Sequence, residues 1–408
     1  MKRYDIYKDS GVQWIGEIPG HWRTRRAKYL LKLLTESTKR TRKIGLENIE
    51  SNTGKFILTE SIFDGDGVDF DCGDILYGKL RPYLNKVWLA EFDGNAVGDF
   101  YVYRAINDYL NSFAKYLLLS SCFVGISNAS TYGAKMPRVS SQFIHSLHFP
   151  VPPLSEQRSI VSFLDDKCGK IDEWVTKKQK EVEHLQELKQ RVIADAVTRG
   201  LNPHVKMKAT NIPWLKEIPE HWEMSKISSH FRQRNEKVSD KDYPALSVSK
   251  QGVTPQLGNV ALSNAEGASR KLVKVGDYAV NSRSDRKGSC GVSKYEGSVS
   301  LITIVLEPFN INGEYVHYLF RSNHWVEEFY RNGRGIVADL WTTNYQMMKS
   351  MYMPVPPLSE QELIVSYIDA KCSKIDKLID NITKEIECIK EYKQRLISDV
   401  VTGQIKVC

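Results

Sequence analysis

Two stretches of the chain carry apolar residues in alternating steps of four and three positions. This spacing places one apolar stripe along a helix and is the heptad pattern of a coiled coil. The predicted seam positions of the first helix are Ile171, Val175, Lys178, Val182, Leu185, Lys189, Val192 and Ala196. Those of the second helix are Ile375, Ile379, Ile382, Ile386, Ile389, Lys393, Leu396 and Val400. We predict that the two helices pack on each other, because a lone stripe of that length would leave apolar surface in water. The alternative is that each helix docks on its own globular domain.

Both stripes follow the same proline-containing segment, VPPLSEQ, at residues 151–157 and 355–361. Proline cannot continue a helix backwards, so Ser155 and Ser359 are predicted N-caps of helices that run to Arg199 and to Gly403. In the second copy Glu362 completes a capping-box pattern, and Leu358 with Leu363 has the spacing of a hydrophobic staple. Gly169, where the second copy has Ser373, is a position at which the first helix could kink.

The chain is an internal duplication. Residues 150–172 and 354–376 are identical at 17 of 23 positions. A shorter pair, WIGEIPGHW at 14–22 and WLKEIPEHW at 214–222, opens each half. Its tryptophans suggest an anchoring plug, and His21 and His221 are interpreted as packed histidines. The predicted domains are residues 1–150, 151–203, 204–353 and 354–408.

Between the repeated segments lie divergent regions, residues 23–149 and 223–353, rich in β-branched and aromatic residues separated by Gly, Asp and Asn. They predict mixed domains with many strands. In the first, Asp93-Gly94-Asn95 predicts a hairpin between residues 86–92 and 96–105. Residues 110–126 and 311–330 have helical spacing.

Charge and cysteine usage narrow the class of protein. The formal net charge is +8, and residues 1–43 hold twelve Lys and Arg against four acidic residues. Such a segment could bind a polyanion or an acidic partner. The alternative is that these charges only form a solvent-exposed surface. Seven cysteines without a CxxC pair indicate a reducing compartment, and Cys168 and Cys372 are interpreted as small buried hydrophobes. Without a signal-type segment or a run of transmembrane length, we expect a soluble, cytoplasmic protein with no membrane partner.

The usual signatures of an enzyme are missing from the sequence. Thr53-Gly54-Lys55 lacks the upstream glycine of a P-loop, and no HExxH or Gly-rich dinucleotide turn is present. Asp64 to Gly67 resembles a calcium loop only superficially, because Val68 replaces an oxygen ligand. We therefore expect no catalytic and no metal-binding residue.

What recurs is a basic, polar loop after a Gly-Asp turn, at residues 73–88 and 276–292, and a second one near the end of each divergent region, at 130–142 and 331–344. Their residue types bind phosphates and base edges, with Arg81 and Arg283 the predicted base readers. The predicted DNA-binding residues are Lys79, Arg81, Tyr83, Asn85, Lys86, Thr131, Lys135 and Arg138 in the first half, and Asn281, Ser282, Arg283, Arg286, Lys287, Arg334 and Thr343 in the second.

The doubled order of opening motif, variable region and PPLSEQ segment with a long helix resembles the specificity subunit of type I restriction-modification enzymes over essentially the whole chain. The resemblance implies an α+β fold, in which two similar target recognition domains are separated by a long antiparallel two-helix coiled coil with a pseudo-two-fold repeat. Each domain would read one half of a bipartite double-stranded DNA target. The competing hypotheses are a nuclease or other DNA-acting enzyme and a protein scaffold without DNA contact.

The resemblance also implies partners. Two modification (methyltransferase) subunits would dock on the chain, and restriction subunits would join later. S-adenosylmethionine, ATP and magnesium would belong to those partners, and this chain would bind no cofactor and carry no chemistry of its own. The residues assigned to the coiled coil and the partner subunits are Ile171, Val175, Val182, Leu185, Val192, Ile375, Ile379, Ile386, Ile389 and Leu396.

Overall fold

The structure, a computed structural model, describes residues 2–38, 40–239, 241–256, 270–334 and 342–407. It contains two compact units. Unit 1 comprises Met1–Gln179 and Ile382–Cys408, and unit 2 comprises Lys180–Asn381. Each unit thus combines one divergent region with a part of both long helices.

Unit 1 is a mixed α/β domain. Its strands are β1 (Tyr7–Asp9), β2 (Glu17–Pro19), β3 (Arg23–Arg26), β4 (Leu31–Leu34), β5 (Lys43–Ile44), β6 (Gly67–Phe70), β7 (Ile75–Gly78), β8 (Val87–Leu89), β9 (Gly94–Val97), β10 (Phe100–Ala105) and β11 (His148–Val151). Its helices are α1 (Asn111–Leu119), α2 (Ser121–Ala129), α3 (Ser141–Ser146) and the first part of α4 (Leu154–Arg199). The main sheet has the antiparallel order β4-β10-β7-β8, and a smaller sheet has the order β5-β9-β6.

Unit 2 repeats this arrangement. Its strands are β12 (Met207–Ile212), β13 (Leu215–Pro219), β14 (Glu223–Lys226), β15 (Phe231–Arg234), β16 (Lys237–Val238), β17 (Leu246–Ser249), β18 (Gly252–Pro255), β19 (Arg270–Val273), β20 (Tyr278–Asn281), β21 (Cys290–Val292), β22 (Gly297–Ser300), β23 (Thr303–Pro308) and β24 (Tyr352–Val355). Its helices are α5 (Gly313–Arg321), α6 (Asn323–Arg331), α7 (Tyr345–Met348) and the first part of α8 (Leu358–Val401). The main sheet order β15-β23-β20-β21 matches that of unit 1, so the duplication extends to the divergent regions.

Two local predictions for the divergent regions need correction. The predicted hairpin across Asp93-Gly94-Asn95 is wrong, because β8 pairs with β7 whereas β9 pairs with β5 and β6. The chain changes sheets there, and the Asn95 side chain is buried and donates to Asp69 at 2.7 Å. The predicted helix 110–126 is two helices, because Ser120 ends α1 and its hydroxyl caps α2 by accepting from the Phe123 amide.

The long helices pack against each other within each unit. In unit 1 the beginning of α4 and the end of α8 share one core, in which Ile160 and Leu164 lie with Leu396 and Val400. In unit 2 the end of α4 and the beginning of α8 do the same, with Ile193 and Val197 beside Ile364 and Ile368. This order of pairing is antiparallel. None of the predicted seam positions is exposed, and the predicted fold class is confirmed.

The helix ends differ from the prediction in detail. Both helices begin one residue earlier, at Leu154 and Leu358, so Ser155 and Ser359 lie in the first turn instead of capping it. Leu358 and Leu363 are 53% and 63% exposed and form no staple. Helix α4 passes through Gly169 without interruption.

The last two residues of VPPLSEQ anchor the domain to the helix. Glu156 accepts hydrogen bonds from Tyr4 (3.0 Å) and the Trp22 indole (2.8 Å) and lies 2.5 Å from His21. The buried Gln157 accepts from the Leu110 amide at 2.9 Å and donates to the carbonyls of residues 108 and 152. The motif therefore joins the domain to the helix. The His21 side chain is 48% exposed and contacts Glu156 at its surface, so the prediction of a packed histidine is wrong.

The second copy of this joint is similar. Glu360 lies 2.7 Å from His221, and Gln361 accepts from the Asn312 amide at 2.8 Å and donates to the Pro356 carbonyl. A further repeated contact joins each domain to its helix, where Tyr116 donates to Asp165 and Tyr318 donates to Asp369.

The two ends of the described chain meet in unit 1. The Tyr7 hydroxyl donates to the Gly403 carbonyl at 3.0 Å, and the amide of Lys406 donates to the carbonyl of Lys2 at 2.9 Å. Gly403 has a positive φ of 78°, and a side chain there would meet Trp22 at 3.0 Å. In unit 2, Gly200 at the end of α4 has the same conformation against Trp222. Each opening motif therefore packs on the end of a long helix.

Candidate nucleic-acid interface

In unit 1 the two predicted DNA-binding loops are joined by their backbones. The amide of Arg81 donates to the carbonyl of Pro137 at 2.7 Å, and the amide of Val139 donates to that of Lys79 at 3.2 Å. Isolated bridges link Arg138 with both Leu80 and Tyr132. Segments that are far apart in sequence, residues 79–81 and 137–139, thus form one small surface.

Unit 2 has the same arrangement at the equivalent positions. The amide of Thr343 donates to the carbonyl of Ser282 at 3.0 Å, and Thr342 bridges both Arg283 and Arg334. Residues 335–341 of the second predicted loop lie outside the described residues. The recurrence in both units shows that the fold itself brings these loops together.

An ion pair to a buried aspartate holds the strand that leads into each surface. Asp74, at the Gly-Asp turn before β7, is 1% exposed and accepts from the Arg104 guanidinium at 2.6 Å. Asp277, at the turn before β20, is 2% exposed and accepts from Arg234 at 2.7 Å. The pairing raises the pKa of both guanidinium groups. The Gly-Asp turn therefore anchors the strand that leads into the loop.

Several predicted residues are exposed and carry no ion pair with the described residues. They are Arg81, Tyr83 and Lys135 in unit 1, and Arg286 and Arg334 in unit 2. Arg81 has a φ of 48°, a left-handed conformation that is unfavourable for a residue with a side chain. It is held there by the Pro137 carbonyl on one side and by Pro82 on the other.

Other predicted cations are engaged within the surface. Asp99 accepts from Arg138 through both carboxylate oxygens, at 3.0 and 2.8 Å, and lies 3.9 Å from Lys79. In unit 2, Arg283 donates to Asp285 at 3.0 Å and Lys287 to Glu327 at 2.8 Å. These side chains are partly exposed, so a ligand would compete with carboxylates for them.

A third group of predicted residues faces the interior of the domains, which corrects the assignment. The side chains of Asn85, Asn281, Ser282 and Thr343 are buried, with exposures of 2, 8, 2 and 0%. All four side chains form a hydrogen bond with a backbone group, as Asn85 does by donating to the Leu119 carbonyl at 2.9 Å. Lys86 donates to the Leu46 carbonyl at 2.7 Å, and burial lowers its pKa. Thr131 donates to the Asn128 carbonyl. Polar loop residues that end a strand commonly satisfy the loop's own backbone, which residue type alone does not reveal.

Two exposed residues of this surface were not predicted. Tyr132 is 58% exposed and Met136 is 45% exposed, and both lie between Thr131 and Arg138 in the second loop. Both could have been identified from the sequence, because each is a large apolar residue within a loop that also contains Gly133 and Lys135. Such residues stack on bases or contact the thymine methyl group in nucleic-acid complexes.

Among the described residues, no group of three or more His, Cys, Asp and Glu side chains could hold a metal ion. In the same part of the chain, no helix has the length and apolar character needed to span a membrane.

Comparison with known proteins gives one consistent result. The family model of the type I restriction modification DNA specificity domain matches residues 41–184. A putative type I restriction enzyme MjaX specificity subunit from Methanocaldococcus jannaschii is 24% identical, over 96% of each chain. The EcoDI specificity subunit from Escherichia coli is 30% identical over 36% of this chain.

Solved structures share the fold. A chain described under the complex assembly and conformational transition of the type I R-M system has a TM-score of 0.72 at 18% identity, over 95% of this chain and 99% of that one. The HsdS subunit from Thermoanaerobacter tengcongensis has a TM-score of 0.52 at 17% identity, over 95% and 98% of the two chains.

Proposed function

We propose, from the premise that this chain belongs to the specificity subunits of type I restriction-modification systems, that it reads a bipartite double-stranded DNA target with one domain per half-site. The observation that carries this proposal is the recurrence of the paired-loop surface, with exposed arginines, in both units. The loops differ in sequence between the units, so the two half-sites would differ as well.

Within each surface, the exposed cations are the best candidates for direct contact. Arg81 is the proposed base reader of unit 1, because its guanidinium has no ion pair with the described residues and its backbone is held by Pro82 and by the Pro137 carbonyl. In unit 2, Arg286 and Arg334 are favoured over Arg283, which is already paired with Asp285. Lys79, Arg138 and Lys287 would contribute phosphate contacts in exchange for their carboxylate partners.

The proposed docking surface for modification subunits is the outer face of the long helices. Exposed or half-buried aromatic and aliphatic residues recur there at equivalent positions of the two copies: Phe163 and Tyr367, Trp174 and Leu378, Leu188 and Tyr392. Lys167 and Lys371 lie over the rings of Phe163 and Tyr367, at 5.8 and 5.7 Å. Two equivalent surfaces suit two copies of one partner. Aromatic residues of this kind are enriched at protein interfaces.

The chemistry would then reside on the partners. Methyl transfer with S-adenosylmethionine would belong to the modification subunits, and ATP- and magnesium-dependent cleavage to the restriction subunits. The sequence lacks the nucleotide-binding motifs that such chemistry would require of this chain.

The test is to co-express the chain with its modification subunit and to map methylated sites by sequencing. We expect one bipartite motif, and we expect Arg81→Ala to relax the preference at one base pair, with a cost of about 1–3 kcal/mol. Arg191→Ala, an exposed arginine on α4, is the matched control and should leave the motif unchanged. Methylation without any preferred motif would refute the proposed function. An unchanged motif with Arg81→Ala would refute only this residue's role.

The helix pair is the proposed spacer between the half-sites. The predicted seam from Ile171 to Ala196 is about 38 Å long at 1.5 Å per residue, close to one turn of B-DNA at roughly 34 Å. A seven-residue insertion after Glu183 and after Glu387, which are equivalent exposed positions, preserves the apolar stripe and lengthens each helix by about 10 Å. We expect loss of methylation at the original site or a longer spacer in the motif. Unaltered methylation would show that the helices do not set the distance.

A further inference from the structure

A compact group of cations in unit 1 lies outside the paired-loop surface. Strand β3 and the short 3-10 helix after it carry Arg23, Arg25, Arg26 and Lys28, all of them exposed. None of the four has a salt bridge or a side-chain hydrogen bond with the described residues. We call residues 23–28 the basic strand. Four uncompensated cations within six residues repel one another, so the cluster weakens the fold slightly.

One exposed aromatic ring orders two of these cations. Tyr29 is 47% exposed, and the Arg25 guanidinium and the Lys28 ammonium lie 5.5 and 4.7 Å from its ring centroid. Cation–π contacts of this kind restrict long side chains without neutralising their charge. The cations are therefore partly ordered before any ligand arrives.

Unit 2 shows that the fold does not require this charge. The equivalent strand β14 has Glu223, Met224, Ser225 and Lys226, and Ser228 stands where unit 1 has Lys28. Strand β14 pairs with β24 in the same register as β3 pairs with β11. The same two-stranded element thus forms with one arginine or lysine in place of four.

We infer that the basic strand binds the sugar-phosphate backbone of the double-stranded DNA that the loops read. This inference rests on the proposed function. Alternate residues of a strand lie about 6.8 Å apart, twice the axial spacing of roughly 3.4 Å between phosphates on one DNA strand. Arginine also offers a planar fork of donors that matches a phosphate.

The composition of the patch favours DNA over an acidic protein surface. Protein interfaces are built around apolar anchors, whereas the exposed surface here consists of cations and one tyrosine that is already covered by two of them. Contacts to phosphates need no such anchor, because counterion release supplies the binding free energy.

The test uses the full chain assembled with its modification subunit and compares it with R25S/K28S, which introduces the residues that unit 2 has at these positions. On duplexes with and without the target, we expect the slope of log Kobs against log salt concentration to become shallower by about 1.8. The methylated motif should stay the same. The control K8Q/K216Q removes two exposed lysines of β1 and β13 that have no ion pair with described residues, and should leave the slope unchanged.

Two outcomes would overturn the inference. An unchanged slope in a variant with wild-type melting temperature would show that DNA does not contact the basic strand. An unchanged slope together with weaker assembly of the modification subunit would assign the patch to an acidic protein surface instead. Neither outcome affects the proposed function, which fails only if wild-type complex methylates no preferred motif.

Discussion

The same lysine–aspartate pair occurs in both units, but its surroundings differ. The predicted seams were interrupted by Lys189 and Lys393, which are equivalent positions of the duplication. In unit 1, Lys393 Nζ lies 2.6 Å from Asp172, and its side chain is 7% exposed. In unit 2, Lys189 Nζ lies 2.7 Å from Asp376, and the two side chains are 29% and 51% exposed. One pair is largely withdrawn from water and the other is not.

The divergent domains cause this difference. In unit 1 residues 50–55 cover the pair, since Lys55 binds the second oxygen of Asp172 at 2.8 Å and the Asn52 carbonyl accepts from Gln394 at 3.1 Å. In unit 2 the pair borders an open cavity of about 830 Å³, lined among others by Lys250 and His317. Repeated residues therefore determine which side chains pair, whereas the divergent region around the pair determines how strongly it is shielded from water and how much it stabilises the unit.

The largest expected effect comes from removing the carboxylate in each unit. Asp172→Ala leaves Lys393 buried without its partner, which costs about 3–5 kcal/mol. Asp376→Ala removes a solvent-screened pair and should cost about 0–1 kcal/mol. Hydrogen–deuterium exchange along α4 and α8 in the two variants measures both losses locally. The double variant Asp172→Ala with Lys393→Met should recover most of the stability, and equal losses in the two units would contradict the comparison.

A smaller difference is expected at the glutamine of VPPLSEQ. Gln157 and Gln361 are both fully buried. Among the described residues, Gln157 forms hydrogen bonds with three backbone groups, whereas Gln361 forms them with two. Because each buried group left without a partner costs about 1–3 kcal/mol, Gln157→Ala should destabilise its unit more than Gln361→Ala does its own. Limited proteolysis against denaturant concentration ranks the two variants. The reverse order would show that packing of the side chain outweighs its hydrogen bonds.

The smallest effect is the pH dependence that comes from a histidine present at this position in unit 2 alone. His317 on α5 occupies the position that Lys115 has on α1, and burial lowers its pKa to about 4, helped by the nearby Arg321 and Lys294. The unfolded chain binds a proton near pH 6.5 that the folded unit accepts only near 4, so stability falls as pH decreases through this window. Between pH 7 and pH 5 the loss is about 1–2 kcal/mol. His317→Gln should remove that part of the slope in exchange measurements. An unchanged slope would show that His317 is protonated in the folded unit.

The predictions from sequence succeeded where one periodic pattern determines one contact. The packing of the two long helices, the internal duplication and the buried Cys168 and Cys372, which are 6% and 7% exposed, were all predicted from spacing and repetition. Lys189 and Lys393 interrupted the predicted apolar seam, because the aspartate that pairs with each lysine lies on the other long helix and cannot be identified from spacing alone.

The divergent regions were harder to predict because their contacts are non-local. Asp93-Gly94-Asn95 has the composition of a hairpin turn, yet tertiary pairing with Asp69 draws Asn95 into another sheet. The two predicted loops contact each other in the structure, but whether Asn85 or Arg81 faces outward depends on backbone conformation and on the Leu119 carbonyl. Residue type predicts the chemistry of such a loop, and only the fold decides which side chains are available.

Residues 2–7 contact residues 403–406 in unit 1, so the contacts of the fold do not determine the order in which the two halves are encoded. In unit 2 the opening motif follows the end of α4 directly along the backbone, whereas in unit 1 the same junction is closed by hydrogen bonds from Tyr7 and Lys406. The same junction is therefore covalent in unit 2 and held by hydrogen bonds in unit 1. A gene that joined residue 407 to residue 2 through a short linker and began instead at residue 204 would encode the same set of contacts. Either half of the duplication could be translated first.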